Sequence, residues 1–179
     1  MTLKSTPTAY GAVAVGLHWL SALLIVGLLV SGTIADETAD PAAKASILSM
    51  HAPFGILVLV LTLARIAWWR FDIRPEPLGD DTALQKLAAK GVHGLLYLVV
   101  LVMGASGIAL FALSGAGDIV FFGAPGPLPD FGDYAPRPAH GIGANLLIAL
   151  LAAHVLAALY HHFVKRDATV SRMWFGGKV

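Results

Sequence analysis

Residues 140–162 read HGIGANLLIALLAAHVLAALYHH, a long apolar run with one histidine at its start, one in its middle and two at its end. A run of about 20 apolar residues is long enough to cross a bilayer as an α-helix. In a regular helix His140 and His154 lie within about 40° of each other and about 21 Å apart along the axis, and His161 continues the same stripe. Ionisable or ligating side chains inside lipid are costly and usually functional, so this stripe is the first candidate for a functional site.

The composition is that of an integral membrane protein. Of the 179 residues, 57% are hydrophobic and 13% are charged, whereas a soluble domain carries about 25% charged residues. The absence of cysteine excludes disulfides, iron–sulfur clusters and covalent attachment of haem through a Cys-x-x-Cys-His motif. No nucleic-acid-binding motif or basic tract is present, so no nucleic-acid partner is expected. We expect a single transmembrane domain over residues 1–179, with membrane lipid around it.

Four apolar runs predict an all-α membrane protein, a bundle of four transmembrane helices. We place the spans at about residues 12–35, 46–69, 91–113 and 140–164. The first run is longer than the apolar core of a signal peptide, which has about 7–15 residues, and it contains His18. We therefore expect this run to be retained as a helix rather than cleaved.

Two segments between the spans have their own predicted structure. Asp81 or Thr82 is a candidate N-cap for a short amphipathic helix that runs through Lys90 and leads into the third span. Residues 114–139 are rich in glycine, proline and aromatic side chains, and they are too apolar for a free linker. We expect them to fold over the membrane surface as a lid.

The lysines and arginines of the loops predict the orientation of the bundle, because cytoplasmic loops carry an excess of these residues. Ten of the twelve lie in the N-terminal segment, in the region from residue 65 to residue 90, or in the C-terminal tail. Only Lys44 and Arg137 lie in the other two loops. Both termini are therefore expected in the cytoplasm, and these two cations on the outer side.

With this orientation the histidines fall into two layers. His51 and His140 lie near the outer surface, and His18 and His154 lie deeper, toward the cytoplasm. Two pairs of histidines at two depths in a four-helix bundle are the arrangement expected for two non-covalently bound, bis-histidine haems b. The alternatives are polar hydrogen bonds between helices, and a haem-free metal channel or transporter that uses the histidines as ligands.

The other three histidines lie at the inner edge of the bundle. We expect His93 to be an edge residue or a partner of a haem propionate. His161 is a candidate contact for a quinone, and it rivals His18 as a ligand if the fourth span sits higher, while His162 is expected to be interfacial. Arginines at this edge serve mainly as topology signals, although an arginine also binds a propionate in bidentate fashion.

The chain resembles the bacterial cytochrome b561 family over nearly its whole length. The resemblance is carried by GLHWLSALLIVGLLVSG, MHAPFGILVLVLTLARIAWW, HGLLYLVVLVMGASGIAL and the stretch from residue 140 to residue 174. Its most specific parts are His18-Trp19 and the spacing from His154 to His161-His162. It implies a multi-pass protein of the bacterial inner membrane with two haems b, the inner one on His18 and His154 and the outer one on His51 and His140.

The best-understood branch that this chain resembles is the superoxide oxidase, which passes electrons from periplasmic superoxide to ubiquinone. The resemblance implies that reaction here, with His161 near ubiquinone and Lys44 and Arg137 as candidates for steering the anion. Against these two cations, the outer ends and loops carry six carboxylates: Asp36, Glu37, Asp40, Asp118, Asp130 and Asp133. The alternative is a non-enzymatic cytochrome b subunit that relays electrons between a periplasmic redox partner or a dehydrogenase and quinone.

Overall fold

The structure of the protein, a computed structural model, describes residues 2–78 and 81–175, and this part of the chain is all-helical. Four of its helices are long and apolar enough to cross a membrane. In chain order the α-helices are α1 (Ala12–Glu37), α2 (Pro41–Trp68), α3 (Ala83–Ser114), the short α4 (Ala116–Phe122) and α5 (Pro136–Leu159). The chain is a multi-pass membrane protein, as predicted.

The helix ends follow from local chemistry and differ in part from the predicted bounds. Helix α2 begins five residues earlier than expected, where the Asp40 side chain caps the helix and Pro41 occupies its first turn. Thr82 and Gln85 form a reciprocal capping box at the start of α3. The predicted short helix and third span are therefore one continuous helix, which ends where Gly115 adopts a left-handed conformation with φ of 69°.

The four long helices pack in two pairs, α1 with α2 and α3 with α5, and α2 also contacts α3. Leu24 and Leu28 of α1 pack against a small apolar core between the other helices. Most large apolar side chains instead point outward, such as Leu23 at 72% and Leu156 at 65% exposure. In a bilayer these side chains contact lipid, which explains why so apolar a chain has a small core. The core residues are Val58, Val99, Val100, Leu147 and Leu150.

The segment from residue 114 to residue 139 is folded back onto the bundle. Helix α4 contacts α2 and α3, and the ring of Phe111 on α3 lies 5.7 Å from Phe121 and 6.2 Å from Phe131. At the same end of the bundle, Arg137 and Asp36 form an ion pair of 2.5 Å. This pair joins the start of α5 to the end of α1.

The chain reverses direction after the C-terminal end of α5. Six residues in π-helical geometry, Tyr160–Lys165, extend the helix, and Arg166 then adopts a left-handed conformation with φ of 52°. The tail folds back onto α1, where Trp19 Nε1 donates a hydrogen bond to the carbonyl oxygen of Met173 at 2.7 Å. Non-glycine residues with positive φ and π-helical turns are both uncommon, and both occur preferentially at functional sites.

Candidate functional site

Two pairs of histidine rings face each other across the bundle at two levels. His51 of α2 and His140 of α5 have ring centroids 6.3 Å apart. His18 of α1 and His154 of α5 have ring centroids 6.1 Å apart. The two histidines of α5 are separated by about 21 Å along the helix axis. These are the pairs that the sequence analysis grouped by depth, and their role as ligands stays a prediction.

The spacing within each pair fits a metal ion held between two imidazoles. A metal–nitrogen bond of about 2 Å on each side, with about 1 Å from each ring nitrogen to its ring centre, places the centres of two axial imidazoles roughly 6 Å apart. Among the described residues, no group of three or more His, Asp or Glu side chains is placed to hold a metal ion. Pairs of facing imidazoles are the donor set of a bis-histidine haem.

Each outer histidine is oriented by a serine from the neighbouring helix. Ser31 Oγ lies 3.0 Å from His51 Nδ1, and Ser106 Oγ lies 3.0 Å from His140 Nδ1. Each hydroxyl donates its hydrogen to a carbonyl oxygen of its own helix, so its oxygen accepts a hydrogen bond from Nδ1–H. This tautomer leaves the lone pair of Nε2 free to bind a metal ion, the usual arrangement of a ligating histidine.

A glycine follows each of these serines, and the histidine ring lies against it. A β carbon at Gly32 would lie 3.1 Å from His51 Cε1, and one at Gly107 would lie 3.3 Å from His140 Cε1. Such contacts are tighter than an ordinary van der Waals approach, so a side chain at either position would displace the ring. The Ser-Gly dipeptides at 31–32 and 106–107 thus form the same cradle twice. Sequence reasoning missed it, although the repeated dipeptide in two spans was a readable signal.

The inner pair has a cation beside it in place of the hydroxyls. Arg65 Nη2 of α2 lies 3.4 Å from His18 Nδ1, which exceeds the usual hydrogen-bond length of about 2.7–3.2 Å. The same guanidinium lies 5.5 Å from the centroid of the Tyr97 ring. Within the described residues, no carboxylate forms an ion pair with Arg65. A positive charge here stabilises an added electron on a redox group that His18 ligates. The guanidinium could also pair with a carboxylate of such a group, as it would with a haem propionate.

His93 lies closer to the inner pair than the sequence suggested. Its ring centroid is 5.2 Å from that of His154, and its Nδ1 is 2.6 Å from the carbonyl oxygen of Ala89. A separation of 5.2 Å is shorter than two metal–imidazole bonds require, whereas the 6.1 Å between His18 and His154 matches them. His18 therefore remains the better partner for His154, and His93 is a neighbour of the pair.

His161 belongs to a separate polar cluster at the end of α5. Its Nδ1 lies 2.6 Å from Asp167 Oδ2 and 3.2 Å from Thr169 Oγ1. Among the described residues its ring contacts Tyr160 and no other histidine, which does not favour it as a rival to His18. Next to this cluster is a cavity of about 600 Å³ lined by His162, Arg166, Asp167, Val170, Ser171 and Trp174.

Removing a serine hydroxyl should weaken the outer site without unfolding the bundle. We expect Ser31→Ala or Ser106→Ala to lower the retention of the outer metal-binding group about 10–100-fold, because the loss of a hydrogen bond that orients a ligating histidine has that effect. The measurement is haem content after dialysis against apomyoglobin. Ser49→Ala is the control, since among the described residues Ser49 bonds only a carbonyl of its own helix. Equal loss in all three variants would contradict the proposed orientation of the rings.

The chain matches known proteins along nearly its whole length. A family model described as prokaryotic cytochrome b561 matches residues 9–176. Cytochrome b561 homolog 2 of Escherichia coli K12 is 30% identical over 183 residues, covering 97% of this chain and 95% of the relative. Cytochrome b562 of Cereibacter sphaeroides is 32% identical, with coverage of 92% and 94%. A protein of Yersinia pestis named probable superoxide oxidase CybB is 29% identical, also with coverage of 92% and 94%.

Proposed function

Because this chain belongs to the prokaryotic cytochrome b561 family, whose members transfer electrons in membranes and carry haem b, we propose that His51 with His140 and His18 with His154 hold two haems b. The observation that carries the proposal is the pair of facing imidazoles at two levels, 6.3 Å and 6.1 Å apart. Haem ligated by two histidines supplies one-electron transfer and has no open position for oxygen. The function of the chain is then electron transfer between the periplasmic side and the quinone pool.

The proposed reaction is the oxidation of superoxide and the reduction of ubiquinone. Two superoxide ions each lose one electron and become oxygen, and one ubiquinone takes up two electrons and two protons and becomes ubiquinol. The name of the Yersinia pestis relative supports this choice of donor. No acid–base pair is needed on the outer side, since superoxide gives up an electron without a change in its bonding to hydrogen.

The outer surface is only weakly suited to attract an anion. Arg137 is paired with Asp36 at 2.5 Å, so much of its charge is neutralised. Lys44 forms no ion pair with a carboxylate of the described residues and is half-buried. Any steering of superoxide therefore falls to Lys44, and we expect it to be local and sensitive to salt.

The proposed quinone contact is His161. The ring of Trp19 lies 5.4 Å from the His18 ring and 5.2 Å from the Trp174 ring, and Trp174 lines the cavity beside the His161 cluster. A continuous aromatic contact therefore connects the inner histidine pair with the cavity. A ubiquinone head group near His161 would be within short reach of both an electron donor and a proton donor.

A spectroscopic assay tests the reaction and the two-haem site together. We expect the purified protein to contain two haems b per chain, to become reduced while superoxide is generated, and to become reoxidised when a ubiquinone analogue is added. Lys44→Gln should slow the reduction several-fold at low salt and little at high salt, because screening removes the steering. Haems that ignore superoxide but equilibrate with ubiquinol would exclude the oxidase activity. A protein that binds metal ions and no haem would revive the transporter hypothesis.

The second candidate function is that of a cytochrome b subunit without an enzymatic activity of its own. The acidic outer surface, with Arg137 neutralised by Asp36, favours it, because such a surface suits a cationic soluble partner better than an anion. Phe122 of α4 is 82% exposed on the same segment. In that case electron transfer from superoxide would be slow, and the purified chain would need a reduced partner protein to reduce quinone.

A further inference from the structure

The chain reverses at Arg166, and this brings the Asp167 carboxylate within hydrogen-bonding distance of Nδ1 in the His161 ring. Asp167 Oδ2 lies 2.6 Å from His161 Nδ1, and Asp167 Oδ1 accepts a hydrogen bond of 2.9 Å from the backbone N–H of Thr169. The side chains of the pair are only 17% and 18% exposed. The left-handed conformation of Arg166 is uncommon, and the half-buried His161–Asp167 contact follows directly after it. Such conformations cluster at functional sites, so the contact is a candidate for a functional role.

We propose that Asp167 is a positioning residue and counter-ion that holds His161 ready to donate a proton from Nε2 to the reduced quinone. The proposal rests on the quinone contact proposed above for His161. It assigns the tail after α5 a part in the chemistry, through one hydrogen bond that sets both the orientation and the charge of the ring.

The tautomer follows from the contact. Asp167 only accepts hydrogen bonds when it is ionised, so Nδ1 of His161 carries a hydrogen and donates it. Nε2 is then the nitrogen that is left to exchange a proton with a substrate. Thr169 Oγ1 lies 3.2 Å from the same Nδ1, so the ring has two partners on this side. The arrangement is that of a histidine held in one orientation by a half-buried carboxylate.

The proton that moves belongs to His161 and not to Asp167. Burial alone would raise the pKa of the Asp167 carboxyl, but hydrogen bonds from Thr169 and His161 outweigh it and hold the pKa at about 2. Asp167 is therefore ionised at every physiological pH. A fixed negative charge beside the ring stabilises the imidazolium, which is the form that can give a proton to an oxygen that has gained electrons.

Other charged groups lie close to the His161–Asp167 pair and contribute to the electrostatic environment of the His161 ring. Lys165 Nζ lies 2.5 Å from Asp81 and 3.9 Å from Asp167, which ties the end of α5 to the residues before α3. His162 and Arg166 line the adjacent cavity together with Asp167. The shorter contact of Lys165 is with Asp81, whereas the shorter contact of Asp167 is with His161.

The step balances with the proposed reaction. Ubiquinone receives two electrons, which two superoxide ions supply, and both of its carbonyl oxygens gain a proton to form two O–H bonds. One of these protons leaves Nε2 of His161, which becomes neutral and keeps its hydrogen on Nδ1. The other proton, and the one that restores the imidazolium, come from the cytoplasmic water.

The test is the pH profile of ubiquinone reduction by the haem-loaded protein, with decyl-ubiquinone as acceptor. In Asp167→Asn the alkaline side of the profile should move toward acid, because the carboxylate that accepts the hydrogen bond from His161 Nδ1 is gone. Asp167→Glu should restore the native profile, and Glu76→Gln, which removes an exposed carboxylate that does not contact His161, should leave it unchanged.

Two readouts that do not depend on turnover accompany the profile. Haem content and the equilibrium binding of decyl-ubiquinone should stay within about twofold of native in Asp167→Asn, since the carboxylate contacts neither group in this proposal. If that variant loses its haem, Thr169→Val is used instead and should give a smaller shift in the same direction. An unmoved profile in both variants, or an equal shift in Glu76→Gln, would overturn the proposal.

One further variant separates this proposal from the one on which it rests. In His161→Gln we expect quinone reduction to fall at least tenfold at neutral pH. If it stays at the native rate, the quinone contact itself is wrong. If it falls while Asp167→Asn keeps the native profile, the quinone contact stands and the role of Asp167 is wrong.

Discussion

Replacing either His51 or His140 by alanine should remove the same haem and leave the other in place. The ratio of haem to protein should fall from two to one in both variants, because an iron with one missing axial imidazole is held far less firmly. His18→Ala and His154→Ala should each remove the other haem. The measurements are haem content and a redox titration, in which each variant keeps one of the two native midpoint potentials.

Which two variants lose the same haem is a stricter test of the model than whether a haem is lost. His51→Ala and His140→Ala should keep the same potential, and the double variant should lose nothing beyond what either single variant loses. His162→Ala is the control, because His162 lies at the end of α5 with its ring on Phe163. Any other grouping of the four variants would be incompatible with the 6.3 Å and 6.1 Å pairs.

The same experiment also tests whether His93 or His18 is the partner of His154. Its ring is nearer to His154 than the His18 ring is, at 5.2 Å against 6.1 Å. We expect His93→Ala to keep both haems, because the 5.2 Å between the His93 and His154 rings is too short for a shared iron. A variant of His93 that loses the inner haem while His18→Ala keeps it would exchange these two residues in the assignment.

Adding a side chain at Gly32 or Gly107 should reduce binding of the outer haem as much as removing one of its ligands. We expect Gly32→Val and Gly107→Val each to lower the haem-to-protein ratio from two to about one, with the inner haem retained. The new β carbons would lie 3.1 Å and 3.3 Å from the histidine rings, and the branched side chain would turn each ring away from its partner. Visible spectra and redox titration of the purified variants identify which haem is lost.

Matched controls on the same helices separate this effect from general damage to the bundle. Thr33→Val places the same side chain one residue further on α1, at an exposed position. Ile108→Val does so on α3, where Ile108 is 45% exposed. Both controls should keep two haems. If Gly32→Val and Gly107→Val also keep two haems, the rings do not need the close approach that the structure gives them.

The membrane class and the two levels of the histidine pairs could be worked out from the sequence, because the first depends on hydrophobicity and the second on regular helix geometry. Four apolar runs predict four helices, and the structure has four helices of that kind. The spacing of His140 and His154 on one run places them on one face about 21 Å apart. The start of α3 was predicted less well, since its polar first turns resemble a separate helix although the Thr82–Gln85 capping box begins one continuous helix.

The supporting contacts could not be worked out in the same way. Ser31 reaches His51 across 20 residues, and Arg65 reaches His18 across 47. Each contact depends on how far one helix is rotated against its neighbour, which periodicity along a single helix does not specify. The His161–Asp167 contact depends on a left-handed Arg166, a conformation that the sequence does not favour at a non-glycine residue.

By itself, the sequence determined that this protein crosses the membrane four times and carries histidines at two depths, because hydrophobicity and helical periodicity are local properties of the chain. Only the tertiary structure decided which side chains orient those histidines: a serine and a glycine on each outer ring, a guanidinium near the inner pair, and a carboxylate on His161. The physical reason is that lipid provides little force to select one rotation of a helix over another. Packing and hydrogen bonds between helices make that choice, and they exist only once the bundle has formed.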